Sequence, residues 1–267
     1  MSQPVIQVRD LGKLYRIRST ERSPYSTFRE DMVNGIKRFV RGDFGRSQSE
    51  DFWALKDVSF DVHQGEVVGI IGRNGAGKST LFKMIIGVHS LNSGDVLFNG
   101  KKIEKLSLSE RINLGMGVKF QAPSVFNELT IKENLSLATK SKSNQEIFNF
   151  LKKFGLENDQ EQLAGDLSHG KKQWLDIAMC SISEPELIFL DEPTAGLSYE
   201  ETKKTGEIIK SLNEKGITFV IVEHNMDILK QIAKSVAVLH LGKLFFEGTA
   251  KEVLSNNQVM NIYLGIS

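Results

Sequence analysis

Gly72-Arg73-Asn74-Gly75-Ala76-Gly77-Lys78-Ser79-Thr80 fits the phosphate-binding pattern G-x-x-x-x-G-K-[ST]. Before it, residues 66–71 (EVVGII) form a short apolar run rich in β-branched residues, which reads as a buried strand. After it, residues 78–86 read as a helix. The pattern thus lies between a strand and a helix, where its chemistry requires it. Glycines let backbone N–H groups close around phosphate oxygens, and the helix N-terminus adds partial positive charge. Lys78 can reach the β- and γ-phosphates, and the Ser79 hydroxyl can ligate Mg²⁺. Asn74 and Ala76 complete the loop, and Thr80 follows Ser79 into the helix.

Working outward, residues 187–192 (LIFLDE) supply what a phosphate loop lacks. A buried strand presents Asp191 at its carboxyl end, to hold Mg²⁺ through water, and Glu192 beside it to polarise an attacking water. Residues 217–222 (ITFVIV) form a continuous apolar run, as in a parallel strand covered on both faces. His224 follows that run, at a strand end where α/β proteins bind ligands, and could sense a γ-phosphate. Gln121 closes a third short strand, residues 117–121, and its amide could reach metal or water. Ser168-His169-Gly170 precedes a helix expected over 171–183. Ser168 is an N-cap type, Gly170 permits close backbone approach, and the helix start could bind an anion. Tyr15, on a strand over residues 11–17, could stack on a base or pack within a sheet.

The bulk composition excludes several classes. A net charge of +1 gives no pointer to nucleic acid. The single cysteine, Cys180, permits no internal disulfide and sits in an apolar helical run. No apolar run approaches the ~20 residues of a membrane helix. The start MSQP lacks the features of a signal peptide. A soluble protein that reaches any membrane through a partner is expected.

Residues 19–51 are unusual. Ser23-Pro24 is a good helix start, and Tyr25, Phe28, Met32, Ile36, Phe39 and Val40 then recur at three- and four-residue steps. Arg29, Lys37, Arg38 and Arg41 lie mostly off that stripe. Such a basic amphipathic helix suits docking on a membrane surface or a partner. Residues 54–62 alternate as a strand, Asn99-Gly100 signals a hairpin, and residues 236–246 form another around Leu241-Gly242. The fold class expected is α/β: a phosphate-loop core with a mixed, mainly parallel sheet, an antiparallel β subdomain and a helical subdomain over 122–183. One nucleotide-binding unit spans residues 1–267.

Taken together, the loop, Gln121, the 167–171 segment (LSHGK), Asp191-Glu192 and His224 resemble, in that order, the ATP-binding subunit of an ABC transporter. The resemblance covers nearly the whole chain. It implies ATP and Mg²⁺ as ligands, with Ser79, Gln121 and Asp191 near the metal, and ATP hydrolysis involving Glu192, Gln121 and His224. It implies a homodimer or heterodimer in which the loop of one subunit faces residues 167–171 of the other, Ser168, His169 and Gly170 contacting the nucleotide. Tyr15 would stack on adenine and Gln121 would couple the site to integral membrane permease subunits at the cytoplasmic face of the membrane. His169 and Lys171 replace a glycine and a glutamine of the commonest pattern (LSGGQ), and Ser198 stands where many members have aspartate.

Two subfamilies are represented. Residues 118–126 (VKFQAPSVF), 167–176 (LSHGKKQWLD), 192–197 (EPTAGL) and 263–265 (YLG) resemble the ATPases of urea and branched-chain amino-acid importers. Tyr15-Arg16, the 19–51 insertion and residues 52–59 (FWALKDVS) resemble those of polysaccharide and teichoic-acid exporters. Import is preferred, because the region expected to dock on the membrane subunit is importer-like; export is the alternative. A soluble ATP switch of the same superfamily is a third reading, opposed by a single phosphate loop and the absence of a heptad run.

Overall fold

The continuous apolar runs become the centre of one sheet. The computed structural model describes residues 4–18, 49–139 and 141–264. A long antiparallel ribbon comes first, β1 (Pro4–Arg18) against β2 (Ser49–His63), its register running from Pro4↔His63 to Arg18↔Ser49. Then follow β3 (Val67–Ile71), α1 (Lys78–Ile85), β4 (Ser93–Phe98), β5 (Lys101–Lys102), α2 (Leu108–Asn113) and β6 (Met116–Lys119). Next come α3 (Ile131–Ala138), α4 (Asn144–Leu151), three short 3₁₀ turns, α5 (His169–Ser181) and β7 (Leu187–Asp191). The chain continues through α6 (Tyr199–Asn213), β8 (Thr218–Val222), α7 (Met226–Ile232), β9 (Ser235–His240), β10 (Lys243–Gly248), α8 (Ala250–Ser255) and α9 (Asn257–Leu264).

Two sheets result. The larger has the order β10-β9-β3-β8-β7-β6, parallel except for the β9–β10 hairpin. The smaller is antiparallel, in the order β2-β1-β4-β5. Every residue of β3, β7 and β8 is buried, so their side chains feed two cores. Ile71, Ile188, Leu190, Phe219 and Ile221 face one core, shared with α3, α5, α6 and α7. Val68, Ile70, Phe189, Val220 and Val222 face the other, shared with α1 and the antiparallel sheet. This covering on both faces is what an unalternating apolar strand requires.

The helices begin where their sequences cap them. Ser107/Glu110, Thr130/Glu133, Ser143/Glu146, Ser198/Glu201 and Thr249/Glu252 each form a reciprocal capping box. Ser198, which replaces the expected aspartate, is thus the N-cap of α6.

Three boundaries near the site differ from expectation: α5 spans His169–Ser181 rather than 171–183, because Ser168 caps it. Ser49, Glu50 and Asp51 belong to β2 rather than to the insertion, because the ladder continues to Arg18↔Ser49. The β6 strand stops at Lys119, leaving Gln121 two residues beyond it. The amphipathic helix expected over 25–40 lies outside the described residues.

Helix α1 is held at its middle and at its C-terminus. Phe82 packs edge-on against Phe120 and Phe189, with ring centroids 6.2 and 6.1 Å away. At its C-terminus the fully buried Arg111 donates through Nη1 to the carbonyls of Met84 (3.1 Å) and Ile85, and through Nε to Leu106 (3.0 Å). A cation there satisfies orphan carbonyls and opposes the helix dipole. Arg111→Met is expected to lower stability by about 2–3 kcal/mol, the scale of charged hydrogen bonds lost from a buried place. Urea unfolding of the two proteins measures this.

Candidate active site

Four strands of the larger sheet end on one side, and each delivers a group there. β3 leads into the phosphate loop. Gly77, at φ +104, is the N-cap of α1; a Cβ there would meet Leu55 Cδ2 at 2.7 Å and the Ala54 carbonyl at 2.9 Å. Gly72, at φ +157, leaves no more room, since a Cβ would lie 2.5 Å from the Leu239 carbonyl. Only glycine keeps the loop this close to its neighbours. Lys78 is buried, and its ammonium donates to the carbonyls of Gly72 (2.8 Å) and Arg73 (3.2 Å). Burial pulls the Lys78 pKa down, while the charges of Glu192 and Asp191 push it back up.

β7 delivers Asp191 and Glu192. Asp191 is buried, and its pKa is raised by that burial and by the adjacent Glu192, against the pull of Lys119, Lys83 and Lys78. Glu192 takes a left-handed backbone, φ +47, uncommon for a residue with a Cβ and concentrated at functional sites. Its amide donates to the Val222 carbonyl at 2.8 Å, which locks the turn to β8. The carboxylate is shared: Gln121 Nε2 donates to Oε2 at 2.8 Å, and His224 Nε2 lies 2.9 Å from Oε1. Three residues expected to act together, from β6, β7 and β8, therefore meet at one carboxylate.

Glu223 had not stood out in the sequence. It is 2% exposed. Oε1 accepts from the Thr194 amide (3.0 Å) and hydroxyl (2.6 Å), and Oε2 accepts from the amides of His224 (2.9 Å) and Asn225 (3.1 Å). Glu223 thus ties the turn after Glu192 to the turn carrying His224. Tyr263 of α9 donates its hydroxyl to the His224 carbonyl from the other side. The available signal was a carboxylate ending a buried strand, next to His224.

A cavity of about 380 Å³ opens over the loop, lined by Tyr15, Phe52, Ala54, Asn74, Gly75, Gly77, Lys78, Ser79, Thr80, Glu192 and His224. A larger cavity, about 740 Å³, lies at the opposite ends of the strands, among Arg9, Asp61, Glu66, Lys234 and Glu247, far from this chemistry. Among the described residues no group of three or more His, Cys, Asp or Glu could hold a metal by itself. The hydroxyl of Ser79 and the carboxylate of Asp191 are hard oxygen donors of the kind Mg²⁺ prefers, and a triphosphate would supply the remaining oxygens.

Ser168, His169 and Gly170 do not line the cavity. Ser168 caps α5, its hydroxyl accepting from the Lys171 amide at 3.3 Å. His169 Nε2 lies 3.0 Å from the Ala195 carbonyl, and a Cβ on Gly170 would come within 2.2 Å of Glu201 Oε1. The 168–170 turn is therefore packed on the 195–201 turn of the same chain.

The ABC transporter family model (ABC_tran) matches residues 55–195, over half of the 267-residue chain. The chain belongs to the ABC transporter ATP-binding family. An ABC transporter ATP-binding protein of Clostridium tetani is 36% identical over 207 residues, which are 76% of this chain and 47% of that longer protein. The high-affinity branched-chain amino acid transport ATP-binding protein LivG of Salmonella typhimurium is 30% identical over 234 residues, 79% of this chain and 92% of LivG. The lipopolysaccharide export system ATP-binding protein LptB of Haemophilus influenzae is also 30% identical, over 218 residues, 79% of this chain and 90% of LptB. The crystal structure of an ATP-binding cassette of an ABC transporter in its ADP conformation superimposes with a TM-score of 0.78 at 27% identity, covering 99% of this chain and all of the other. The phosphate loop and the cavity over it therefore belong to an ABC transporter ATPase subunit. Among the described residues no helix is long and apolar enough to cross a membrane.

Proposed function

We propose that this ATPase drives a membrane importer of urea or branched-chain amino acids, working as a pair of ATP-binding subunits under integral permease subunits at the cytoplasmic face of the membrane. The observation that carries the choice of import is the importer-like sequence of residues 118–126 and 167–176; the likeness to LivG, through 92% of that protein, agrees with it but is matched by that to the export ATPase LptB. Those two stretches carry the choice because they belong to the region that would meet a permease.

In this reading Lys78 and the loop amides hold the β- and γ-phosphates, Ser79 and Asp191 hold Mg²⁺, and Tyr15 stacks on adenine. Mg²⁺ would neutralise charge on the phosphates. Water attacks the γ-phosphorus as the bond to the β-bridging oxygen breaks, and Glu192 takes the proton of that water. Gln121 and His224, both on the Glu192 carboxylate, fix its direction. Ser168, His169 and Gly170 lie outside their own chain's cavity, so a second subunit's turn is free to close over the nucleotide.

Co-expression with permease subunits of the importer class, followed by reconstitution in vesicles, tests the proposal. The expected result is a stable complex that takes up urea or a branched-chain amino acid from outside the vesicle when ATP is enclosed in the lumen, on the side of the ATP-binding subunits. A complex only with permeases of a polysaccharide exporter would replace import by export. Co-purification with ribosomes or DNA instead would refute a transport role.

A further inference from the structure

The β1–β2 register places Tyr15 directly opposite Phe52. Opposite residues of an antiparallel pair share one face, with Cβ atoms about 4.5–5.5 Å apart. Both residues line the cavity over the loop together with Ala54, which sits at an irregularity of the ladder between Leu14↔Trp53 and Lys13↔Leu55. Trp53, on the opposite face, packs elsewhere: a Cβ on Gly12 would meet its ring at 3.0 Å. Phe52 remains 51% exposed and Tyr15 38%. Lys13 helps orient the tyrosine, since its ammonium donates to the Ser90 carbonyl at 2.7 Å and lies 5.4 Å from the Tyr15 ring centre. Two aromatic residues paired across the ladder therefore edge a cavity whose remaining lining comes from Ala54, the phosphate loop, Glu192 and His224.

We propose that Phe52 is a second base-contact residue, so that the nucleobase of ATP rests on a platform of two cross-strand rings, Tyr15 and Phe52. This deepens the assignment of Tyr15 as the base-stacking residue and rests on it. Tyr15 offers a single hydroxyl to read a base edge and Phe52 offers none, so the platform contributes affinity and tolerates either purine. The exporter-like origin of residues 52–59 then has a consequence inside the nucleotide site as well as outside it.

The test compares binding of MgATP and of magnesium tripolyphosphate, which has no base, to the full chain. Proteins compared are the parent, Phe52→Ala, Phe52→Tyr and Tyr15→Ala. Phe52→Ala is expected to weaken MgATP binding about tenfold, within the roughly five- to 150-fold range that stacking on one ring supplies. Tripolyphosphate should bind it as it binds the parent, and Phe52→Tyr should retain ATP affinity. Unchanged ATP affinity in Phe52→Ala would overturn the proposal, as would equal losses for ATP and tripolyphosphate. Unchanged ATP affinity in Tyr15→Ala would remove the reading of Tyr15 and the platform with it.

Discussion

Glu192→Gln is expected to lower ATP turnover by on the order of 10²–10⁴, the usual contribution of a positioned general base, while ATP still binds. The surroundings make the substitution clean. The Glu192 backbone is set by its positive φ and by the bond from its amide to Val222, and neither depends on the side-chain charge. A carboxamide can still accept from Gln121 Nε2 and still meet His224 Nε2, so the three side chains keep their places. Proton acceptance is what disappears. Binding is expected to hold for a further reason: Glu192 is one of the groups that raise the Asp191 pKa, so its neutralisation favours the ionised Asp191. Single-turnover hydrolysis alongside equilibrium ATP binding separates the two effects. If the variant hydrolysed ATP as fast as the parent, Glu192 would not be the base. If ATP binding fell with turnover, the carboxylate would be holding the nucleotide.

Most of the fold was legible because its signals are local. The loop from Gly72 to Thr80 announces itself by spacing, and the 187–190 and 217–222 runs announce strands covered on both faces. Their ends, at Asp191 and before His224, then fall on the side where the loop lies. What was illegible depends on several segments at once. Glu223 reads as one carboxylate among the chain's 33 acidic residues until Thr194, His224 and Asn225 are seen to donate to it. Phe52 abuts the insertion assigned to residues 19–51, and the sequence around it carries a family likeness but no sign of its place opposite Tyr15. The ladder to Ser49 that reveals the place is a long-range pairing, and no local pattern encodes its register. The positions of Ser168, His169 and Gly170 outside their own cavity were implied by family resemblance alone. Geometry now gives them an internal partner too, the 195–201 turn.

Lys119 is the strongest case of a residue that sequence disguises, and replacing it has the largest expected effect on stability. A lysine near the end of a short strand reads as a surface residue, but Lys119 is fully buried, its ammonium donating to the Phe120 carbonyl at 2.8 Å. Burial lowers its pKa, and the charges of Asp176, Asp191 and Glu223 act to raise it. It is a buried cation that acts on these carboxylates, from α5, β7 and the end of β8, at a distance rather than by direct pairing. Asp176, 3% exposed, accepts from the Ser124 amide at 3.1 Å, and burial pushes its pKa up to about 6 against the pull of Lys119. Lys119→Met leaves Asp176 without its cation, and the expected loss is about 3–5 kcal/mol near pH 8, the scale for removing one partner from a buried set of charges. The loss should depend on pH. Between about pH 4 and 6 native Asp176 holds a proton that the unfolded chain has released, so stability falls as pH rises through that window. Without Lys119 the Asp176 pKa rises further, and the variant is penalised most above pH 6, where the native carboxyl must ionise unpaired or hold a proton the unfolded chain has shed. Near pH 5 both proteins carry a largely neutral Asp176, and the gap between them should narrow. Urea unfolding at pH 8 and pH 5 reads this directly. Adding Asp176→Asn to Lys119→Met should recover much of the loss at pH 8, because the neutral side chain can still accept from Ser124 and needs no cation. Equal losses at both pH values, with no recovery in the double variant, would mean that Lys119 stabilises the protein by packing rather than by charge.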